Sequence, residues 1–183
     1  EQTCDLPPTS LKGRHQLRNA AMAVAAMATL LPDALPEAIS GLAAVHWPAR
    51  MQLLADREQE VWVDGGHNVH AATVMAEALE ALPPKPLVLI VGMLDNRPLD
   101  PFLHKFAALE PLVIGVPIDQ RPVYAVGESM TPELIAARAR QLGFSAIHAA
   151  TAEAALATLA ERQPEARVLV TGSLYLAGRL AGL

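Results

Sequence analysis

The chain has 183 residues, 52% of them apolar and 18% charged, which is enough to bury a core but short of two ordinary domains. With 14 Lys and Arg against 19 Asp and Glu and a net charge of −5, it offers no basic footprint for phosphate backbones, so no nucleic-acid partner is expected. The single cysteine, Cys4, excludes an internal disulfide, and no apolar run approaches the roughly 20 residues of a membrane span. A cytoplasmic protein with no membrane partner is the expectation. The opening Glu1-Gln2-Thr3-Cys4-Asp5 carries neither Met nor the pattern of a secretory leader, and it predicts a piece of something larger.

From Leu17 to Leu31 nearly every residue is Ala, Met, Leu or Val. This predicts one helix, apolar on most faces and halted by Pro32. A shorter helical stretch from Pro36 to about Val45 precedes His46-Trp47-Pro48, which breaks the pattern and sets a boundary between residues 1–46 and 47–183. Beyond it, Glu60 to Asp64, Leu87 to Val91, Leu112 to Val116 and Val168 to Val170 are short runs rich in β-branched residues, as in buried parallel strands. Val69, Ala72, Met75, Leu79 and Leu82 recur at helical spacing and predict a helix over Val69 to Leu82. Thr131-Pro132-Glu133 opens a helix that runs to about Leu142 and closes at Gly143, and Thr151 caps another. Strands alternating with helices predict an α/β, Rossmann-like, mostly parallel sheet with helices on both faces. Met51 to Asp56 and Glu60 to Asp64, separated by Arg57-Glu58-Gln59, read as a hairpin and add one antiparallel strand.

In open α/β sheets ligands collect beyond the carboxyl ends of the strands. Two turns belong there: Gly65-Gly66-His67-Asn68 after Asp64, and Thr171-Gly172-Ser173 before a helix from Leu174 to Leu180. Both place small residues and hydrogen-bonding side chains where a carboxylate or phosphate would sit. The bland reading is that Gly65-Gly66 makes only a tight turn and Ser173 only caps its helix. Asp64, His67 and His70 have a spacing that suits a metal, but no cysteine is nearby and no fourth ligand is evident, so no metal site is predicted. His46, His104 and His148 read as ordinary surface or half-buried histidines. Arg50, just past the boundary in Trp47-Pro48-Ala49-Arg50, reads either as a clamp for phosphate oxygens or as a solvated hinge arginine. No G-x-x-x-x-G-K-[ST] and no G-x-G-x-x-G occurs, so neither a Walker P-loop nor a dinucleotide fingerprint is present.

Five segments then stand in order along nearly the whole chain. They are Leu11-Lys12-Gly13-Arg14-His15-Gln16-Leu17-Arg18-Asn19-Ala20-Ala21, Trp47-Pro48-Ala49-Arg50, Val63-Asp64-Gly65-Gly66-His67-Asn68, Val91-Gly92-Met93-Leu94 and Thr171-Gly172-Ser173-Leu174-Tyr175. Together they resemble the C-terminal portion of folylpolyglutamate synthase/dihydrofolate synthase, in the Mur ligase superfamily, including its L-x-G-x-H-Q-x-x-N-A-A, W-P-G-R and D-x-A-H-N motifs. The resemblance implies that residues 1–46 are the helical tail and hinge of a central ATPase domain, and that 47–183 are the C-terminal Rossmann-like glutamate-ligase domain. A covalently linked N-terminal P-loop domain would precede them, and this segment alone would be inactive.

The implied reaction is ATP-dependent addition of L-glutamate to dihydropteroate or a folate through an acyl phosphate. ATP and Mg²⁺ are the implied cofactors, with the metal ligands mainly in the preceding domain. Position by position, the resemblance implies that Asn19 holds the adenine, Arg50 reaches the phosphates and Asp64 hydrogen-bonds near the ribose. It implies that His67, Asn68 and Ser173 seat the glutamate, with Arg50 and His67 as the catalytic pair. Three departures stand out: Ala49 where the family usually has Gly, Gly66 where it usually has Ala, and Asp95-Asn96-Arg97-Pro98 where a Lys usually follows Gly92-Met93-Leu94. Two other readings stay open, a peptidoglycan Mur ligase C-terminal domain and a stand-alone, non-catalytic Rossmann-like binding module.

Overall fold

The computed structural model describes residues 6–11, 13–56, 59–119 and 126–182. Lys12 of the first motif, Arg57 and Glu58 of the hairpin turn, and Cys4 lie outside the described residues. The chain divides into two compact units, Glu1–Trp47 and Pro48–Leu183.

In the first unit, helix α1 runs over Arg14–Leu30, three residues earlier than the apolar pattern suggests. Its polar first turn continues the helix that the Ala and Met run propagates, and Pro32 stops it because proline has no N–H to offer the next turn. The stretch expected as one helix from Pro36 is broken into a 3₁₀ turn at Pro32–Ala34, helix α2 at Leu35–Gly41 and a second 3₁₀ turn at Leu42–Ala44. Pro32 and Pro36 each sit at the start of one of these pieces, where a missing N–H costs nothing.

The second unit is a six-stranded sheet. Its strands are β1 (Gln52–Asp56), β2 (Glu60–Val63), β3 (Leu87–Val91), β4 (Leu112–Gly115), β5 (Ala146–His148) and β6 (Arg167–Thr171), in the order β1-β2-β6-β3-β4-β5. All neighbours are parallel except the hairpin pair β1 and β2. The helices are α3 (Val69–Glu80), α4 (Leu99–His104), α5 (Pro132–Gln141), α6 (Ala152–Arg162) and α7 (Leu174–Leu180). Strand alternation splits the apolar residues into two cores. Leu89, Val91, Val113 and Leu169 face Ala72, Met75, Phe102 and Ile135 from α3, α4 and α5. Val63, Val88, Ile90 and Val168 face Ala155, Leu159, Leu176 and Ala177 from α6 and α7. The mostly parallel sheet, its one antiparallel pair and the helices on both faces are all present.

Two elements have no counterpart in the sequence reading. Strand β5 is a three-residue edge strand with Ile147 and His148 exposed, so it carries no apolar run. Helix α4 begins directly after Pro98 and contains Pro101, and its six residues are too few to show a helical apolar repeat.

Candidate functional site

Strands β2 and β6 are adjacent, and the helices that follow them leave to opposite faces: α3 packs into one core and α7 into the other. Adjacent parallel strands whose crossovers diverge leave a crevice at their carboxyl ends, the place where open α/β sheets bind ligands. The two turns flanking that point touch directly. The Gly172 N–H donates to the Gly66 carbonyl at 3.0 Å, and the Thr171 hydroxyl donates to the same oxygen at 3.2 Å. On the other side of β6, the Gly92 N–H donates to the Thr171 carbonyl at 3.2 Å. The turn after β2, the turn after β6 and the start of the Gly92 turn therefore form one row.

The glycines of this row have a specific cause. A side chain at Gly65 would lie 2.2 Å from Leu174 Cδ2, and one at Gly172 would lie 2.6 Å from the Gly92 carbonyl oxygen. Gly172 also has φ +97, in the left-handed region that side-chain-bearing residues avoid. Turn-to-turn packing alone demands small residues here, so the glycines reflect the closeness of the turns rather than the approach of a ligand.

The antiparallel β1 brings Arg50 to the same edge. Gln52 at the start of β1 pairs with Val63 at the end of β2, so the residues preceding β1 lie beside Asp64, just past the carboxyl end of β2. Asp64, only 7% exposed, accepts the Met51 N–H at Oδ2 (2.9 Å) and the Gly66 N–H at Oδ1 (2.7 Å). Ala49 and Met51, on either side of Arg50, have φ 55 and 41, a conformation costing roughly 1–2 kcal/mol for each residue with a Cβ. Ala49 adopts the left-handed conformation although it carries a Cβ. Arg50 itself is half-buried.

His67 is half-buried, and its Nδ1 lies 3.1 Å from the Gly65 carbonyl oxygen. A carbonyl only accepts, so Nδ1 is the donor in this contact, and Nε2 is the ring nitrogen left to face a ligand. Asn68 is exposed and caps α3, its Oδ1 accepting the Ala71 N–H at 2.9 Å. Ser173 is buried and caps α7, its Oγ accepting the Tyr175 N–H at 3.1 Å. Capping is thus part of what both residues do, and it fixes where their turns lie.

Asn19 belongs to the first unit. It is exposed on α1, and its side-chain amide donates to Gln16 Oε1 at 3.1 Å. Arg97 is exposed beside an open groove of about 360 Å³ lined also by Leu99, Met130 and Leu134, where Asp100 pairs with Arg138. Among the described residues no three His, Cys, Asp or Glu side chains are grouped to hold a metal ion, and no helix is long and apolar enough to cross a membrane. Two participants escaped the sequence reading as individual residues: Thr171, whose hydroxyl ties the turns together, and Gln52, whose Oε1 accepts the Ala49 N–H at 2.9 Å. Their roles depend on strand register, which no local motif reports.

Residues 49–174 match the model of the Mur ligase, glutamate ligase domain. The chain is 30% identical over 176 residues to the folylpolyglutamate synthase of Lacticaseibacillus casei, covering 91% of this chain and 38% of that protein. It superposes on E. coli FolC, solved in complex with DHPP and ADP, with TM-score 0.75 and 26% identity over 96% of this chain and 40% of that one. A bifunctional folylpolyglutamate synthase/dihydrofolate synthase solved with Mn, AMPPNP and L-glutamate shares the fold, with TM-score 0.80 and 22% identity over all of this chain and 42% of that one. The chain thus spans about two fifths of the length of these relatives. With well over half of its residues matched to that family's model, the chain belongs to the Mur ligase, glutamate ligase domain family.

Proposed function

We propose that this chain is the C-terminal part of a cytoplasmic, ATP-dependent ligase that adds L-glutamate to dihydropteroate or to a folylpolyglutamate, and that its first unit is the tail of a central ATPase domain. The observation that carries the reading is the direct contact between the turns of His67 and Ser173 at the carboxyl ends of β2 and β6. Likeness to the folylpolyglutamate synthase of L. casei supports the folate branch.

A carboxylate is a poor acyl donor. Transfer of the γ-phosphoryl group of ATP to the substrate carboxylate supplies a leaving group; the amino group of L-glutamate then attacks the carbonyl and phosphate departs. What the protein adds is positioning and neutralisation of charge. In this reading Asn19 holds the adenine, while Arg50, with a forked guanidinium suited to several oxygens, meets the phosphates. Asp64 serves the nucleotide side. His67, Asn68 and Ser173 seat the glutamate, and the lone pair of His67 Nε2 takes up the proton lost by the attacking amine. Magnesium is expected to accompany ATP on ligands outside the residues described, and no step depends on it here.

The test is phosphate release by the full-length protein. It should require ATP, L-glutamate and either dihydropteroate or a folate together, and UDP-linked muropeptides should not replace the pterin substrate. Release that is indifferent to L-glutamate would overturn the reading.

A further inference from the structure

Arg50 sits between two non-glycine residues in the left-handed region, Ala49 at φ 55 and Met51 at φ 41. Such a pair persists only where surrounding contacts over-determine it. Here three hydrogen bonds do so. Gln52 Oε1 accepts the Ala49 N–H at 2.9 Å, the Ala49 carbonyl accepts the Gly65 N–H at 3.0 Å, and Asp64 Oδ2 accepts the Met51 N–H at 2.9 Å. The bonds enclose Arg50 from both sides and leave its backbone little freedom.

Gln52 is the participant with no assigned role. Because an amide N–H can only donate, the side-chain oxygen must be the atom facing Ala49. Gln52 is also the first residue of β1, held in register against Val63, so its Cα is anchored by the sheet while its side chain reaches back three residues. A side chain on rigid strand backbone is a good device for imposing an otherwise unfavourable turn.

We infer that Gln52 is a positioning residue for Arg50: its side-chain carbonyl, acting with the Asp64 carboxylate, holds the left-handed turn that presents the guanidinium. This rests on the reading of Arg50 as the phosphate ligand. Gln52 touches neither substrate nor nucleotide in this account and acts only through the turn.

The test uses the full-length protein and four variants. Gln52→Met removes the acceptor at nearly constant length and should raise KM for ATP about tenfold while changing KM for L-glutamate less than about twofold. Gln52→Glu keeps an acceptor oxygen and should stay within about threefold of the parent in KM for ATP. Adding Ala49→Gly to Gln52→Met removes the steric cost that the lost hydrogen bond no longer offsets, and should recover most of the affinity. A variant affecting only general stability would disturb KM for L-glutamate as much as KM for ATP.

The fourth variant, Arg50→Ala, separates the inference from the reading beneath it. If Arg50→Ala weakens ATP use and Gln52→Met does not, the positioning role is wrong and the phosphate role stands. If Arg50→Ala leaves ATP use unchanged, the phosphate role and the positioning inference built on it both fall. Amide exchange at Met51 reads the turn itself: Gln52→Met should speed it about tenfold or more and Gln52→Glu should not. Unchanged exchange in Gln52→Met overturns the inference whatever the kinetics show.

Discussion

At the start of the parallel strands, polar side chains bond to one another. Glu60 takes the Arg167 guanidinium at 2.7 Å, Lys85 at 2.8 Å and the Trp62 indole at 3.3 Å, and Arg167 also reaches the Pro83 carbonyl. At the other end, Gln52, Asp64, Asn68 and Ser173 accept hydrogen bonds from backbone N–H groups. The first arrangement neutralises charge and ties β2 and β6 to the segment that precedes β3. The second shapes turns and holds them against each other. Substitutions at the first end should therefore appear in stability and its pH dependence, and those at the second end in ligand constants as well.

The largest effect on stability is expected where the turns meet. Gly172→Ala forces a Cβ into a left-handed residue and against the Gly92 carbonyl, and should cost about 4 kcal/mol in denaturant unfolding. A loss below about 1 kcal/mol would mean that the turns move apart easily, and the contrast between the two ends would blur.

Next in size is the ion cluster. The Arg167 guanidinium, helped by Lys85 and Trp62 against the opposing effect of burial, holds the Glu60 carboxyl at about 2, down from 4.5. A carboxyl depressed in the folded state contributes stability in full above its unfolded value; that contribution fades as pH falls from about 4.5 toward about 2. With solvent screening of the cluster taken into account, the contribution at neutral pH is expected to be on the order of 1–2 kcal/mol. Glu60→Gln should lose that much, because it leaves the buried Arg167 charge without its partner. It should also flatten the acid limb of the stability curve while sparing KM for both ATP and glutamate. An unchanged acid limb would show that the cluster contributes no pH-dependent stability.

The smallest predicted effect separates capping from binding. Asn68 and Thr151 both cap helices through side-chain oxygens, at 2.9 and 3.1 Å, and replacing either by Ala should cost about 1 kcal/mol. Only Asn68→Ala should also raise KM for L-glutamate. Equal silence of both variants in the kinetics would leave Asn68 with a structural role alone.

Much of this was legible in the sequence because it is local. The apolar runs of β3 and β6, the helical spacing of Val69 to Leu79, and the caps at Thr131, Thr151 and Ser173 each declare themselves within a few residues. The hairpin was legible too, although not its consequence. That Gln52 falls opposite Val63, across a pair that shifts register between Leu53 and Ala55, is what puts Met51 within reach of Asp64, and no motif encodes a register. The exposed three-residue β5 is held by pairing with β4, a tertiary cause invisible in its composition. The glycines were legible as turns; the neighbours that require them, Leu174 and Gly92, come from distant segments.

The central claim is that the turns of His67 and Ser173 serve one ligand. A double-mutant cycle of His67→Ala and Ser173→Ala, read as KM for L-glutamate in the full-length protein, tests it most directly. The account predicts that each change weakens glutamate use and that the two couple by about 1 kcal/mol. Losses that add within about 0.3 kcal/mol, or no loss at all, would contradict a shared seat.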